Sequence, residues 1–176
     1  MTYIQIATTT VGVSASTITF SSIPQTYTDL WLVLSLRTSN GGNADYSLNM
    51  SVNATPTIYR RTITSAAAAS PIIENTSGTT LTMGIVSQSG NASVFSNTSI
   101  RILDYTSSQY KMAYVEDGMS YYANGLANFS GLTIANATGI TSITLSDAAV
   151  TNFNQYSTAT LYGILKGGSA ATITTT

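Results

Sequence analysis

The sequence predicts an all-β domain, an antiparallel β-sandwich of jelly-roll-like character with about ten strands. Three observations lead there. Apolar residues recur at every second position in short runs, as in Leu30, Leu32, Leu34 and Leu36, the spacing that places them on one side of a strand. Clusters of turn residues such as Ser39-Asn40-Gly41-Gly42-Asn43 and Gln88-Ser89-Gly90-Asn91 separate the runs. Ser and Thr make up nearly a third of the chain, whereas Lys, Glu, Arg and Gln are scarce, and that balance favours strands over helices.

Taken in order, residues 3–7 read as a first strand with Ile4 and Ile6 on one face, able to continue through Val11 and Val13. Residues 17–20 follow, with Ile18 and Phe20 inward, and Pro24 ends that run because it cannot donate to a ladder. Residues 30–37 form the strand around which the others assemble. Its four leucines fall on one side, and Trp31 and Val33 start the opposite face, so that end is expected to be covered on both faces. Residues 46–53 alternate with Tyr46, Leu48, Met50 and Val52 inward, and residues 58–63 present Arg60 and Arg61 near an edge. The alanine-rich residues 65–71 read as a loop or a single helical turn. Strands are expected at 81–86, 99–105 and 110–116, the last two joined as a hairpin. Asp117-Gly118 reads as a turn, residues 126–134 as a strand with a bulge at Gly131, and 140–145 and 158–165 close the set. Residues 1–166 are expected to form the sandwich and 167–176 a flexible C-terminal tail.

Composition removes whole classes of chemistry. The chain holds no Cys and no His, which excludes disulfides, Ser-His-Asp and Cys-His catalysis, and zinc bound by His or Cys. Six basic residues are scattered apart from Arg60-Arg61, and net charge is −1, so nucleic acid is not an expected partner. No basic segment leading into an apolar run opens the chain, and no run reaches the ~20 apolar residues of a membrane span. Neither a leader nor a membrane partner is expected. Only 7% of residues are charged, a surface suited to close contact between identical neighbours because few charges need desolvation. Seven Asn-x-Ser/Thr triplets, at Asn49, Asn53, Asn75, Asn91, Asn97, Asn128 and Asn136, follow from the abundance of these residue types.

Candidate sites are few. Glu116-Asp117 is the one adjacent acid pair, but neighbouring strand residues face opposite ways and cannot flank a glycosidic bond together. The other acids lie singly, without the spacing of a calcium loop. No glycine pattern forms a nucleotide-binding fingerprint, and no cofactor is expected. Among the eleven tyrosines, Tyr121 and Tyr122 are the best candidates for a ligand or subunit contact, since they lie beside Asn124-Gly125. Tyr46, Tyr105, Tyr114 and Tyr162 occupy strand positions and read as core or interface. Arg60 and Arg61 are further contact candidates, as are the face carrying Trp31 and the two termini.

Two stretches resemble a known module. Tyr3-Ile4-Gln5-Ile6-Ala7-Thr8, running through Ser16-Thr17-Ile18-Thr19-Phe20-Ser21-Ser22-Ile23-Pro24-Gln25-Thr26-Tyr27-Thr28-Asp29-Leu30, resembles the start of a β-rich virion structural module of tailed bacteriophages, cyanophages included. Ile140-Thr141-Ser142-Ile143-Thr144-Leu145 with Phe153, then Gln155-Tyr156-Ser157-Thr158-Ala159-Thr160-Leu161-Tyr162-Gly163-Ile164, resembles its C-terminal end. The residues after Lys166 depart from the usual ending. The resemblance implies a virion component without catalytic residues, made in the host cytoplasm. The first expectation is a capsid decoration (cement) protein that forms a homo-oligomer, a trimer by preference, and bridges major capsid subunits. The alternative is a tail or fibre-tip module that binds a bacterial surface glycan. An enzyme, such as a polysaccharide depolymerase, is the third class and has no acid pair to support it.

Overall fold

Alternation of apolar and hydroxyl-bearing residues produces fourteen strands among the described residues: β1 (Thr2–Thr10), β2 (Ser14–Ala15), β3 (Thr17–Phe20), β4 (Asp29–Leu36), β5 (Tyr46–Val52), β6 (Thr57–Ser65), β7 (Ile72–Gly78), β8 (Leu81–Val86), β9 (Ser96–Ile102), β10 (Lys111–Tyr121), β11 (Asn124–Ala135), β12 (Ile143–Asp147), β13 (Phe153–Asn154) and β14 (Thr158–Leu165). The computed structural model describes residues 1–39, 46–54, 57–65, 72–78, 81–86, 94–121, 124–147 and 152–166. For 46–47, 57–65, 72–78, 81–86, 119–121, 124–126 and 128 the description is of the backbone. The expected tail 167–176 and nearly all of the alanine-rich segment lie outside the described residues.

An eight-stranded antiparallel sheet runs in the order β1-β14-β4-β9-β10-β11-β6-β7, and a four-stranded sheet runs β3-β12-β5-β8. A two-stranded ribbon pairs β13 with β2. The sheets share one core, so the expected all-β, sandwich-like architecture is what the chain adopts. From the large sheet come Leu30, Leu32, Leu34, Leu36, Ile100, Ile102, Ala113, Val115, Leu132, Ile134 and Leu161. From the small sheet come Ile18, Phe20, Leu48, Met50, Val52, Ile143 and Leu145. The β4 leucines are at most 1% exposed, and each fully buried leucine favours the folded state by roughly 1.5–3 kcal/mol. β4 lies between β14 and β9, with Leu32 opposite both Leu161 and Ile100, the interior position its pattern predicts.

Polar side chains close the ends of this core. Lys111 begins β10 on the inner face and is 1% exposed. Its Nζ donates to the carbonyls of Ser107 at 2.8 Å, Asn136 at 2.6 Å and Thr138 at 2.5 Å. All three ammonium protons therefore have acceptors, and burial pushes the group below the ordinary lysine value. Gly163 has a steric reason: a Cβ there would run into the ring of Tyr27. Tyr105 is fully buried and its hydroxyl donates to the Pro24 carbonyl, tying the entry of β4 to the β9–β10 connection.

Four details differ from the sequence reading. Asp117-Gly118 is no turn, because β10 runs on to Tyr121, with Asp117 opposite Asn128 and Gly118 opposite Ala127. Gly131 causes no bulge, since β11 keeps its register with both β10 and β6 across it. The bulge in this sheet falls instead between Gln5 and Ala7 of β1. β7 has too little apolar alternation after Ile72-Ile73 to be read as a strand, and it exists through pairing with β6. Finally, the first strand stops at Thr10, where Val11 turns into the core and Val13 is 84% exposed.

Candidate functional site

The outer face of the eight-stranded sheet, away from the small sheet, carries the functional candidate. Period-two geometry puts alternate residues of each strand on this face, and the ladders align them into two rows. One row reads Gln5, Tyr162, Trp31, Arg101, Tyr114, Gly131 across β1, β14, β4, β9, β10 and β11. The adjacent row reads Thr8, Thr160, Val33, Ser99, Glu116, Phe129. Beside Thr8, Thr160 and Ser99, these rows carry the rings of Tyr162, Trp31, Tyr114 and Phe129.

The two rows form a groove of about 460 Å³ lined by Tyr3, Trp31, Ser99, Arg101, Tyr114, Glu116, Phe129 and Ile164. One wall is a cluster in which Trp31 meets Tyr3 edge-on at 5.4 Å between ring centroids and Tyr162 at 5.6 Å. The other wall is Tyr114 stacked on Phe129 at 6.2 Å. Gly131, opposite Tyr114, leaves open space above its own backbone. Tyr3, Tyr114 and Phe129 are 50%, 41% and 45% exposed, a large aromatic area to leave in water. The expectation that the Trp31 end of β4 is covered by a second layer is therefore corrected. Among the described residues Trp31 is flanked by Tyr162 of β14, Ser99 of β9 and Tyr3 of β1, and Val33 is open.

Polar groups occupy the space between the walls. The Trp31 Nε1–H donates to Ser99 Oγ at 2.8 Å, fixing the indole. Arg101 is held from beneath by the fully buried Asp29, Nη2 to Oδ2 at 3.0 Å. Asp29 also accepts from the Asp104 amide at 3.0 Å and from Lys166 Nζ at 3.0 Å. Burial alone would raise the Asp29 carboxyl, but the Asp104 amide, Lys166 and Arg101 together hold it below the ordinary carboxylate value. Lys166 is correspondingly raised by its bond to Asp29. Glu116 faces the groove, exposed, and makes no hydrogen bond or ion pair among the described residues.

Of the residues singled out in the sequence, the Trp31 face is the one that the structure develops into a site. Tyr114 and Tyr162 belong to it, while Tyr105 is core. Tyr121 ends β10 opposite Asn124, its side chain and all of Tyr122 lying outside the described residues. Arg60 and Arg61 sit on β6, paired with Leu132 and Gly131, their side chains also outside the description. Glu116 and Asp117 project to opposite faces, Glu116 into the groove and Asp117 inward at 7% exposure, so the two carboxylates share no cleft. Among the described residues no group of three His, Cys, Asp or Glu is placed to hold a metal ion. Sequence reading missed Ser99, Arg101, Glu116 and Phe129 as a set. The available signal was aromatic residues at outward positions of successive strands, visible only once the register joins them.

The chain matches no family model, no curated protein and no solved structure.

Proposed function

We propose that the chain is a non-enzymatic virion structural protein, a capsid decoration (cement) protein that self-associates, by preference as a trimer, and bridges major capsid subunits. The observation that supports this reading is β1. It is the terminal strand of the large sheet, and its nine residues, Thr-Tyr-Ile-Gln-Ile-Ala-Thr-Thr-Thr, include no charge and no proline. Edge strands of lone soluble proteins are commonly guarded by such residues. Here one bulge interrupts the strand, and its outer edge, which no strand among the described residues covers, offers main-chain donors and acceptors to a neighbouring chain. Few charges anywhere on the surface oppose that contact. A protein that binds only the assembled shell stabilises the shell by mass action, and resistance of the head to heat and internal pressure is the expected outcome. Counting copies per particle on a stained gel tests the reading: hundreds are expected, with leakier and more heat-labile heads when the gene is deleted. A few copies per particle would overturn it.

The second reading, a tail or fibre-tip module that binds a bacterial surface glycan, draws support from the groove. An aromatic-lined depression with a few convergent polar groups is the usual form of a small-ligand site. Low copy number and loss of adsorption by a Tyr114→Ala particle would favour it over the first.

A further inference from the structure

We infer that the groove between the Trp31 and Tyr114 walls binds an uncharged pyranose, a hexose or N-acetylhexosamine unit of a polysaccharide. The inference rests on the reading of this groove as a glycan site and is independent of whether the chain sits on the head or the tail. A pyranose has an apolar C–H face that packs on an aromatic ring and a rim of hydroxyls that donate and accept. The groove supplies both kinds of partner. Trp31 and Tyr114 lie on β4 and β10, separated by β9 alone, so their backbones are about 10 Å apart, two strand spacings. Between them stand Arg101 and Ser99 of β9, and Glu116 follows Tyr114 on the same side of β10; together they offer N–H donors, a hydroxyl and a carboxylate to hydroxyls of a ring held between the walls.

Charge selects among sugars. Arg101 and Lys166 share the Asp29 carboxylate, and Lys166 also meets Asp104 Oδ1 at 3.3 Å, so the two cations are balanced by two carboxylates and Arg101 contributes donors with little net positive charge. Glu116 has no such partner among the described residues. Among the described residues the groove therefore shows an unpaired carboxylate to an incoming ligand, and a uronic acid, sialic acid or phosphorylated sugar meets like-charge repulsion there that a neutral ring avoids. A peptide is the poorer fit. On a sheet face the backbone groups are consumed by the ladders, so an extended chain finds none of the main-chain partners that an edge provides, while a sugar requires only side chains.

Trp31 is the one tryptophan in the chain, so its intrinsic fluorescence reports this groove alone. The full-length protein is titrated with oligomers of N-acetylglucosamine, galactose and mannose, and separately with oligogalacturonate as the acidic probe. A saturable change with at least one neutral oligomer and none with oligogalacturonate is expected. Glu116→Gln and Tyr114→Ala should each weaken the neutral-sugar response about tenfold or more. Tyr110→Ala, at a more exposed tyrosine outside the groove lining, should leave it unchanged. Far-UV circular dichroism checks that each variant is folded. Binding of oligogalacturonate in preference to the neutral oligomers overturns the sugar class and leaves the glycan reading standing. No response to either kind at millimolar sugar overturns both. A folded Glu116→Gln protein that binds as well as the parent overturns the role given to the carboxylate.

Discussion

The two faces of the eight-stranded sheet are made by the same strands and do opposite things. On the inner face β4 presents Leu30, Leu32, Leu34 and Leu36, none more than 1% exposed. On the outer face it presents Trp31 and Val33, with Val33 39% exposed. The inner face is aliphatic and sealed by the small sheet, so its residues act through the area they remove from water. The outer face is aromatic and open, with the buried Asp29 carboxylate holding Arg101 and an exposed carboxylate at Glu116. Aromatic surface left in water at this density contributes little to folding and suits a surface that meets something else. The inner face thus carries stability and the outer face, on the reading proposed above, recognition; substitutions should separate along the same line.

The largest effect should come from opening the inner face. Leu32→Ala is expected to cost about 4 kcal/mol, the lost burial plus the cavity, whereas Val33→Ala, one residue along and facing out, should cost about 0.5 kcal/mol. Urea denaturation of the two variants measures the contrast, and similar midpoints would mean that the outer face is covered in the native assembly.

Next comes the buried cation that closes the core. Lys111→Met keeps most of the aliphatic stem but strips the donor from three carbonyls, and a loss of about 3 kcal/mol is expected. Hydrogen exchange at residues 136–140 should accelerate in the variant, because the Asn136 and Thr138 carbonyls are among those released.

Asp29→Asn should cost about 2 kcal/mol at neutral pH, since hydrogen bonds to a charged acceptor are lost. The folded carboxyl sits below its ordinary 3.8. Its contribution is therefore complete above that pH and is lost as pH falls through the lower folded value. The wild-type protein should lose stability below about pH 4, and the Asn variant should show a flatter acid limb in thermal melts across that window.

The smallest folding effect belongs to the outer face itself. Tyr114→Ala gives up one stacked ring pair and should shift stability by under about 1 kcal/mol. A much larger loss on thermal melting would show that the aromatic walls hold the sheet together rather than wait for a ligand.

The strand pattern alone determined a good deal. Leucines at every second position of β4, the Ile18/Phe20 and Leu48/Met50/Val52 alternations, and the absence of Cys and His are local facts. They set the all-β class, most of the core and the loss of whole kinds of chemistry. The sequence marks the Trp31 face as a place for contacts, but the second layer expected over it is replaced by the rings of Tyr3 and Tyr162. Asp117 and Gly131 misled because turn and bulge propensities are weak, and unbroken pairing with both neighbours overrides them. Tertiary structure decided the rest. Tyr3, Trp31, Arg101, Tyr114 and Phe129 are spread over more than 120 residues of chain and become neighbours only through ladder register. Register is set by how whole strands bury their inner faces against one another, an energy that belongs to no single stretch of sequence.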